Sequence, residues 1–412
     1  MSARGLRIAI VGGGIGGLTL ALALRQRGLA AEVFEQAAEL TEIGAAVALS
    51  ANATRELQRL GVLDGIAAFA TEPTELIFRN WQDGRRIAAH PVRQDGRYRE
   101  RFGAPYFGIH RADLQRVLSG ALGGAGLHLG HRLASLADRR DGVELAFDNG
   151  RSARADLVVG ADGIRSPVRG FVAGDGREGA VYSGTSGFRG IVPASRLPSL
   201  PDPQAIQFWM GPDAHLLHYA IGGRGEDVNF LAVVEGPAAW PNGDRWQAEV
   251  EPGEALAAFA GWHPAVTEMI GAVEHRVRWG LFVGRPLARW SRGRVVLLGD
   301  AAHAMLPHHG QGANTTIEDA VTLAELLAGA AAPGDLDAVL ARYQALRRTR
   351  TRTIQRSSRA TNDLLHLPDG PALVDRDRRV SRFPERFGWI HEFDALRTVS
   401  DPRQPAVASG PG

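Results

Sequence analysis

The run Gly12-Gly13-Gly14-Ile15-Gly16-Gly17 lies near the amino terminus, and Glu35 follows it at the distance a dinucleotide site uses. Small residues let the backbone approach a pyrophosphate. A helix start offers unpaired N–H groups to its charge, and a carboxylate some twenty residues on can accept both ribose hydroxyls. Gly12, Gly14, Ile15, Gly17 and Glu35 are the residues expected to hold such a group; a glycine turn kept only for tight helix packing is the plainer alternative. Two further carboxylates end apolar runs, Asp162 after Leu157-Val-Val-Gly-Ala161 and Asp300 after Val295-Val-Leu-Leu-Gly299. An aspartate so placed either caps a turn or faces a ligand. Gly310-Gln311-Gly312-Ala313-Asn314 leads into a helix expected from Thr316, so its N–H groups and positive dipole end suit an anion.

Proton transfer near neutrality points to histidine. In His215-Leu216-Leu217-His218-Tyr219, a strand puts His215, Leu217 and Tyr219 on one face and Leu216 with His218 on the other. His215 and Tyr219 can then meet one ligand, with His215, at an ordinary value near 6.5, suited to take a proton from it. Packing between sheets is the alternative, since alternation does not say which face looks at a ligand. His308 and His309 stand beside the Gly310 loop, either as substrate contacts or as surface histidines. No His-Glu-x-x-His and no carboxylate and histidine set stands at ligand spacing on one element, so no metal is expected.

These groups need a frame. Residues 7–11 read as a short apolar strand, 18–27 as a helix closing at Gly28, and 31–35 as a second strand. That β-α-β start makes an open parallel sheet with covering helices the leading architecture. Residues 155–160 and 294–298 read as strands returning to the same sheet. Between them, 205–210, 215–221 and 228–235 are apolar or alternating segments separated by glycine turns, an antiparallel pattern to which 76–89 adds strands. Residues 316–332 and 336–365 are helical, the second with its many arginines on a solvated face. The expectation is α/β. A Rossmann-like dinucleotide-binding domain is built from residues 1–75, 105–180 and 280–330, an inserted antiparallel substrate sheet from 76–104 and 181–279, and a helical extension from 331–412 with a frayed tail from Pro402.

Composition narrows the partners. A chain of 412 residues, 44% hydrophobic and 22% charged, suits a globular protein of two or three packed units. No run approaches the roughly 20 apolar residues of a membrane span, and the start lacks a signal peptide's regions, so a cytoplasmic protein without membrane partners is expected. Cysteine is absent, which excludes disulfides, thiolate metal sites and dithiol redox chemistry. All 47 basic residues are arginine, leaving no lysine for a P-loop or a pyridoxal Schiff base. A net charge of +2 gives little reason to expect nucleic acid.

Taken together and in this order, the glycine, Asp162-Gly163 and Gly299-Asp300 segments resemble the three fingerprints of the class A flavoprotein aromatic monooxygenases. Gly44-Ala-Ala-Val-Ala-Leu-Ser-Ala-Asn52, His110-Arg111-Ala-Asp-Leu114, Leu365-His-Leu-Pro-Asp-Gly370 and Phe387-Gly-Trp-Ile-His-Glu-Phe-Asp394 are similar to the salicylate hydroxylase-like branch. Its relatives include 3-hydroxybenzoate and 6-hydroxynicotinate monooxygenases. The resemblance implies FAD, with Arg111 contacting it, Asp300 at its ribityl chain and pyrophosphate, and Asp162 bridging cofactor and nicotinamide functions. Gly310, Gly312, Ala313 and Asn314 would face the flavin's pyrimidine edge. It also implies NADH or NADPH as a transient reductant, O2 as co-substrate, and hydroxylation of a small phenolic or aromatic-acid substrate through a flavin C4a-hydroperoxide, in a monomer or homodimer. Two departures bear on substrate: Ala48 stands where the nicotinate relatives carry a histidine, and Pro307-His308-His309-Gly310 replaces a commoner Pro-Tyr-Leu-Ala. A flavin dehydrogenase or reductase of the same fold, and a non-catalytic FAD-binding module, remain as alternatives.

Overall fold

The structure, a computed structural model, describes residues 5–40, 46–174, 179–243, 245–330 and 335–401. The tail expected to fray from Pro402, Gly44 and Ala45 of the 44–52 segment, and residues 331–332 of the expected helix lie outside the described residues. Ile8–Val11 is an apolar strand buried at every position. Leu157–Gly160 and Ala31–Phe34 pair with it in parallel on its two sides. Val295–Leu297 and Leu127–His128 extend the parallel set, and Ser291–Arg292 closes one edge antiparallel. The inner strands Ile8–Val11, Leu157–Gly160 and Val295–Leu297 are apolar and buried at every position, because helices and the small sheet of Leu133–Arg139, Gly142–Phe147 and Ser152–Ala155 pack on their faces. The glycine helix, Ile15–Gln26, buries every residue from Ile15 to Leu24. It packs on the helices Arg111–Leu122 and Gly312–Ala328. Gly16 permits that approach, since a Cβ there would stand 2.5 Å from the Thr316 methyl carbon.

The larger sheet has eight strands in the order Gln247–Glu249, Val277–Gly284, Ala180–Pro193, Asp227–Glu235, Ala214–Ile221, Ile206–Gly211, Glu75–Asn80, Arg86–Pro91. Its pairs are antiparallel, as expected from sequence, except that Ile206–Gly211 and Glu75–Asn80 run parallel. Neighbouring strands joined by hairpins must reverse, whereas these two belong to distant parts of the chain and meet without a turn between them. Both faces are covered. Phe188, Trp209, Leu216 and Phe230 face one way, onto Phe259 and Met269. Phe208, Met210, Tyr219 and Ile221 face the other, onto Tyr98, Tyr106 and Leu365.

Two helix expectations are corrected. The helix after the Gly310 loop begins at Gly312 rather than Thr316 and runs to Ala328, so the glycine-rich segment is itself the first turn. The long helix Leu336–Leu365 does not carry all its arginines on a solvated face: Arg347 and Arg350, three apart and so on one stripe, are each 1% exposed and pair with Glu318 and Asp319. A guanidinium can be buried where fixed carboxylates meet it.

Candidate active site

Two cavities run end to end along the carboxyl edge of the parallel sheet, where ligands of such sheets bind. They share Gly14, Arg111, Ala161 and Gly163. The larger, about 560 Å³, is lined further by Gly12, Glu35, Asp162 and Arg165. The smaller, about 230 Å³, is lined by Ile15, Val47, Asp300, Gly312 and Ala313. Through the four shared residues they form one continuous trough.

Each fingerprint glycine has its own reason. A Cβ on Gly12 would stand 2.4 Å from the Ala161 carbonyl oxygen, and Gly12 also holds φ at 109°. A Cβ on Gly17 would stand 1.9 Å from the Gly12 carbonyl oxygen, so Gly17 serves packing and does not line the trough. On Gly14 a Cβ would meet nothing within 4 Å. That open space lies at the start of the glycine helix, whose first turn has no side-chain cap. Free N–H groups and the positive dipole end are thus available to an anion.

Glu35 is pinned as an acceptor. Its Oε2 receives the Gly13 N–H at 2.6 Å and its Oε1 the Ala37 N–H at 2.9 Å. Asp162 accepts the Val168 N–H at 3.3 Å through Oδ2, while Oδ1 is buried without a partner among the described residues. Burial pushes its carboxyl up to about 6. Asp300 is exposed at the first position of the short helix Asp300–His303. At the far end, Gly310 adopts a left-handed turn with φ of 63°. The Asn314 side chain accepts the Ser50 N–H at 2.9 Å and donates to the Ala48 and Gly310 carbonyls at 2.8 and 2.7 Å. Gly310 and Asn314, expected at the cofactor edge, are not among the residues lining these two cavities; the Asn314 side chain ties the wall strand, Ala46–Leu49, to the Gly310 loop.

The structure also brings two of the three predicted histidines, His215 and His308, together. His215, Leu217 and Tyr219 face the cluster that includes Ala48, Tyr98 and Tyr106. His215 is 1% and Tyr219 6% exposed. The His308 ring lies edge-on to His215 with centroids 5.1 Å apart, and both its nitrogens are buried without partners among the described residues. His309 points elsewhere, to the Ser357 hydroxyl at 2.9 Å and onto the Phe387 ring. Neither is a surface histidine. Burial pulls His308 down to about 3 and His309 to about 4. His215 is not poised near 6.5 as the sequence suggests: burial, then the His366 and His308 charges, hold it well below. A cavity of about 350 Å³ opens beside this cluster, lined by Tyr98, Phe102, Tyr106, Phe387 and His391 with Arg97 and Arg101.

The family of FAD binding domains matches residues 6–358. A 3-amino-4-hydroxybenzoate 2-monooxygenase of Streptomyces cremeus is 41% identical over 390 residues, 94% of this chain and 95% of that protein. The chain belongs to the class A FAD-dependent aromatic monooxygenases, in the salicylate hydroxylase-like branch. A 6-hydroxynicotinate 3-monooxygenase of Pseudomonas fluorescens is 34% identical over 85% of this chain and 90% of its own. A solved salicylate hydroxylase–substrate complex superposes on this monooxygenase with a TM-score of 0.82 at 29% identity, covering 96% of this chain and 97% of that one.

For a monooxygenase of this family the trough fits FAD: open backbone donors stand at Gly14, a fixed carboxylate at Glu35 and, at Asp162, a carboxylate whose Oδ1 has no partner among the described residues. Among the described residues no helix is long and apolar enough to cross a membrane. Sequence reasoning missed Gly13, whose Cβ would stand 2.9 Å from that of Glu35, and Tyr106, which shows no periodic or motif signal. It also missed Arg189, stacked 3.6 Å from the Trp279 ring and pulled down to about 10 by burial and by the neighbouring Arg111 charge. Replacing Glu35 with Ala is expected to raise the FAD dissociation constant roughly tenfold or more, the loss of about two ribose hydrogen bonds. Flavin fluorescence titration checks this; an unchanged constant would remove Glu35 from the ribose.

Proposed function

We propose that this monooxygenase adds a hydroxyl group to a phenolic benzoate of the type its Streptomyces relatives are named for, 3-amino-4-hydroxybenzoate, with NADH or NADPH as reductant. The observation that carries this reading is the buried His215–Tyr219 face, backed by Tyr106 and next to the trough wall at Ala48. FAD would be held by Gly12, Gly14, Ile15, Glu35, Arg111, Asp162 and Asp300 along the trough, with the Gly312–Ala313 turn at its far end. Bound there, it supplies the electron transfer and oxygen activation that no side chain of this chain can. The substrate segments, 76–104 and 181–279, would then cover the FAD segments, 1–75, 105–180 and 280–330. That division is supported by the separate buried clusters on the two sheets.

The chain's own residues govern the proton and the position of the ring. A phenol reacts with an electrophilic oxygen far faster as phenolate, so a neutral base beside its hydroxyl is needed. His215, held neutral at pH 7 by burial, has that form. The Tyr219 and Tyr106 hydroxyls, both raised by burial, stay protonated and are donors to the developing phenolate. Arg97 and Arg101 line the adjoining cavity and would be the partners of the benzoate carboxylate there. Reductant docking is supported by a cavity of about 400 Å³ beside the Asp162-Gly163 segment, where Arg165 lies over the Trp246 ring.

His215→Ala is expected to keep FAD and lower kcat/KM for hydroxylation by about 10²- to 10⁴-fold, the usual worth of a positioned base. Tyr219→Phe should lower it roughly tenfold, one hydrogen bond to a charged group. The sign of the pH effect follows from the depressed His215 value: the wild-type rate holds below pH 6.5 and falls only when the buried ring protonates, so the acid limb lies lower than a free imidazole gives. A wild-type rate and profile in His215→Ala would dismiss it as the base.

A further inference from the structure

We propose that His366 and Glu235 complete a proton exit from the substrate face, so that the base acts as a relay, His215 to His366 to Glu235 to water. This rests on His215 being the base proposed above. Nδ1 of His215 lies 2.6 Å from Nε2 of His366, and Nδ1 of His366 hydrogen-bonds Oε1 of Glu235. Exposure rises along the line: 1% for His215, 4% for the His366 side chain and 43% for that of Glu235. The path leads from a sealed face to solvent.

Three elements hold it in place. His215 is on the strand Ala214–Ile221, and Glu235 ends the neighbouring strand, Asp227–Glu235. His366 caps the long helix Leu336–Leu365, whose end is docked on the hairpin by the Asp213 N–H donating to the His366 carbonyl at 3.1 Å. Asn362, one turn earlier on that helix, donates to Glu235 Oε1 at 3.2 Å. The charged and titratable groups facing the relay are His308 at His215, and Asp213 and Asp363 at His366.

An ionised carboxylate only accepts hydrogen bonds, so Glu235 sets every hydrogen position behind it. His366 carries its proton on Nδ1 and presents Nε2 as an acceptor. His215 then carries its proton on Nδ1 and keeps Nε2 as a lone pair. In the transfer, the phenol O–H bond breaks and an N–H bond forms at Nε2 of His215. The Nδ1 proton of His215 passes to Nε2 of His366, whose own Nδ1 proton passes to Glu235 and on to water. One proton leaves, a phenolate remains, and both rings end neutral as the opposite tautomers. The reverse flow, when product is reprotonated, resets them. The relay answers a physical problem: an imidazolium stranded at His215, buried against His308, is costly, and passing the proton outward avoids it.

The test uses the oxidised FAD-loaded protein without reductant, mixed rapidly with 3-amino-4-hydroxybenzoate while absorbance follows phenol ionisation. Wild type forms phenolate on binding. His366→Ala slows that step at least about tenfold, with probe affinity within about threefold of wild type, and added imidazole restores the rate by filling the vacated ring's place. Glu235→Gln, at a half-exposed position that leaves the fold intact, slows it too and makes the rate depend on buffer-base concentration. Ionisation at the wild-type rate in Glu235→Gln and His366→Ala, with His215→Ala still defective, would remove the relay and leave the base. A slowed His366→Ala that imidazole does not rescue, beside a normal Glu235→Gln, would also overturn it. Should His366→Ala fail to fold, Glu235→Gln decides alone. Normal ionisation in His215→Ala, or none in wild type, would sink the reading underneath.

Discussion

Glu318→Ala is expected to lower folding stability by about 3–5 kcal/mol, a large share of the roughly 5–15 kcal/mol that holds a native chain folded. Glu318 is fully buried, and its oxygens accept from Arg347 Nη2 at 2.5 Å, Arg350 Nε and Nη2 at 2.7 Å each, and Asn52 at 2.6 Å. Asp319 next to it receives Arg347 Nε at 2.6 Å, His303 at 2.5 Å and the Gly299 N–H at 3.1 Å. Burial alone would raise the Glu318 carboxyl, but Arg350 and Arg347 more than offset it and hold it below its ordinary value. The network joins the helix that begins at the trough, Gly312–Ala328, to the long C-terminal helix and to the helix Ala51–Arg59. Removing one carboxylate leaves a buried guanidinium without its partner, which is where the cost lies. Urea unfolding measures it. A triple replacement, Glu318→Met with Arg347→Met and Arg350→Met, should cost less than the sum of its parts, because it removes charges together. A Glu318→Ala midpoint equal to wild type would mean that Glu318 does not hold the two buried guanidiniums.

Gly14→Val is expected to abolish FAD retention, at least about 100-fold in dissociation constant or roughly 2.7 kcal/mol, while the apoprotein melts as wild type does. Its Cβ meets no protein atom within 4 Å and its φ of −73° suits any residue. The side chain would therefore occupy only the space that the pyrophosphate needs. Gly17→Ala makes the contrast: its Cβ clashes with the Gly12 carbonyl, so folding fails first. Flavin content of the two purified variants separates ligand space from packing. Full yellow colour in Gly14→Val would move the cofactor out of the trough.

The nucleotide half of the site was legible in the sequence because its chemistry is local. Strand, glycine turn, helix and Glu35 lie within one β-α-β unit, and the structure brings Asp162 and Asp300 to the same edge because each ends a strand of the same sheet. Alternation also placed His215 and Tyr219 on one face. What escaped is what only tertiary packing decides. Arg347 and Arg350 read as solvated because a basic run usually is; their carboxylates come from another helix. The ordinary titration expected of His215 gave way to burial, which no window of sequence reports. His366 lies in a polar helix end, and nothing local ties it to a strand more than a hundred residues earlier. Gly13 was overlooked because the dinucleotide pattern assigns its position no role, although Glu35 packs on it.

Where the oxygen goes tests the proposed hydroxylation most directly. The FAD-loaded protein, NADH or NADPH and 3-amino-4-hydroxybenzoate are combined under oxygen-18 gas, and the product is weighed by mass spectrometry against the nicotinamide consumed. The prediction is a product carrying one labelled hydroxyl oxygen, formed in step with reductant oxidation. Unlabelled aromatic recovered intact, with the oxygen found only as hydrogen peroxide across a panel of phenolic acids, would contradict it.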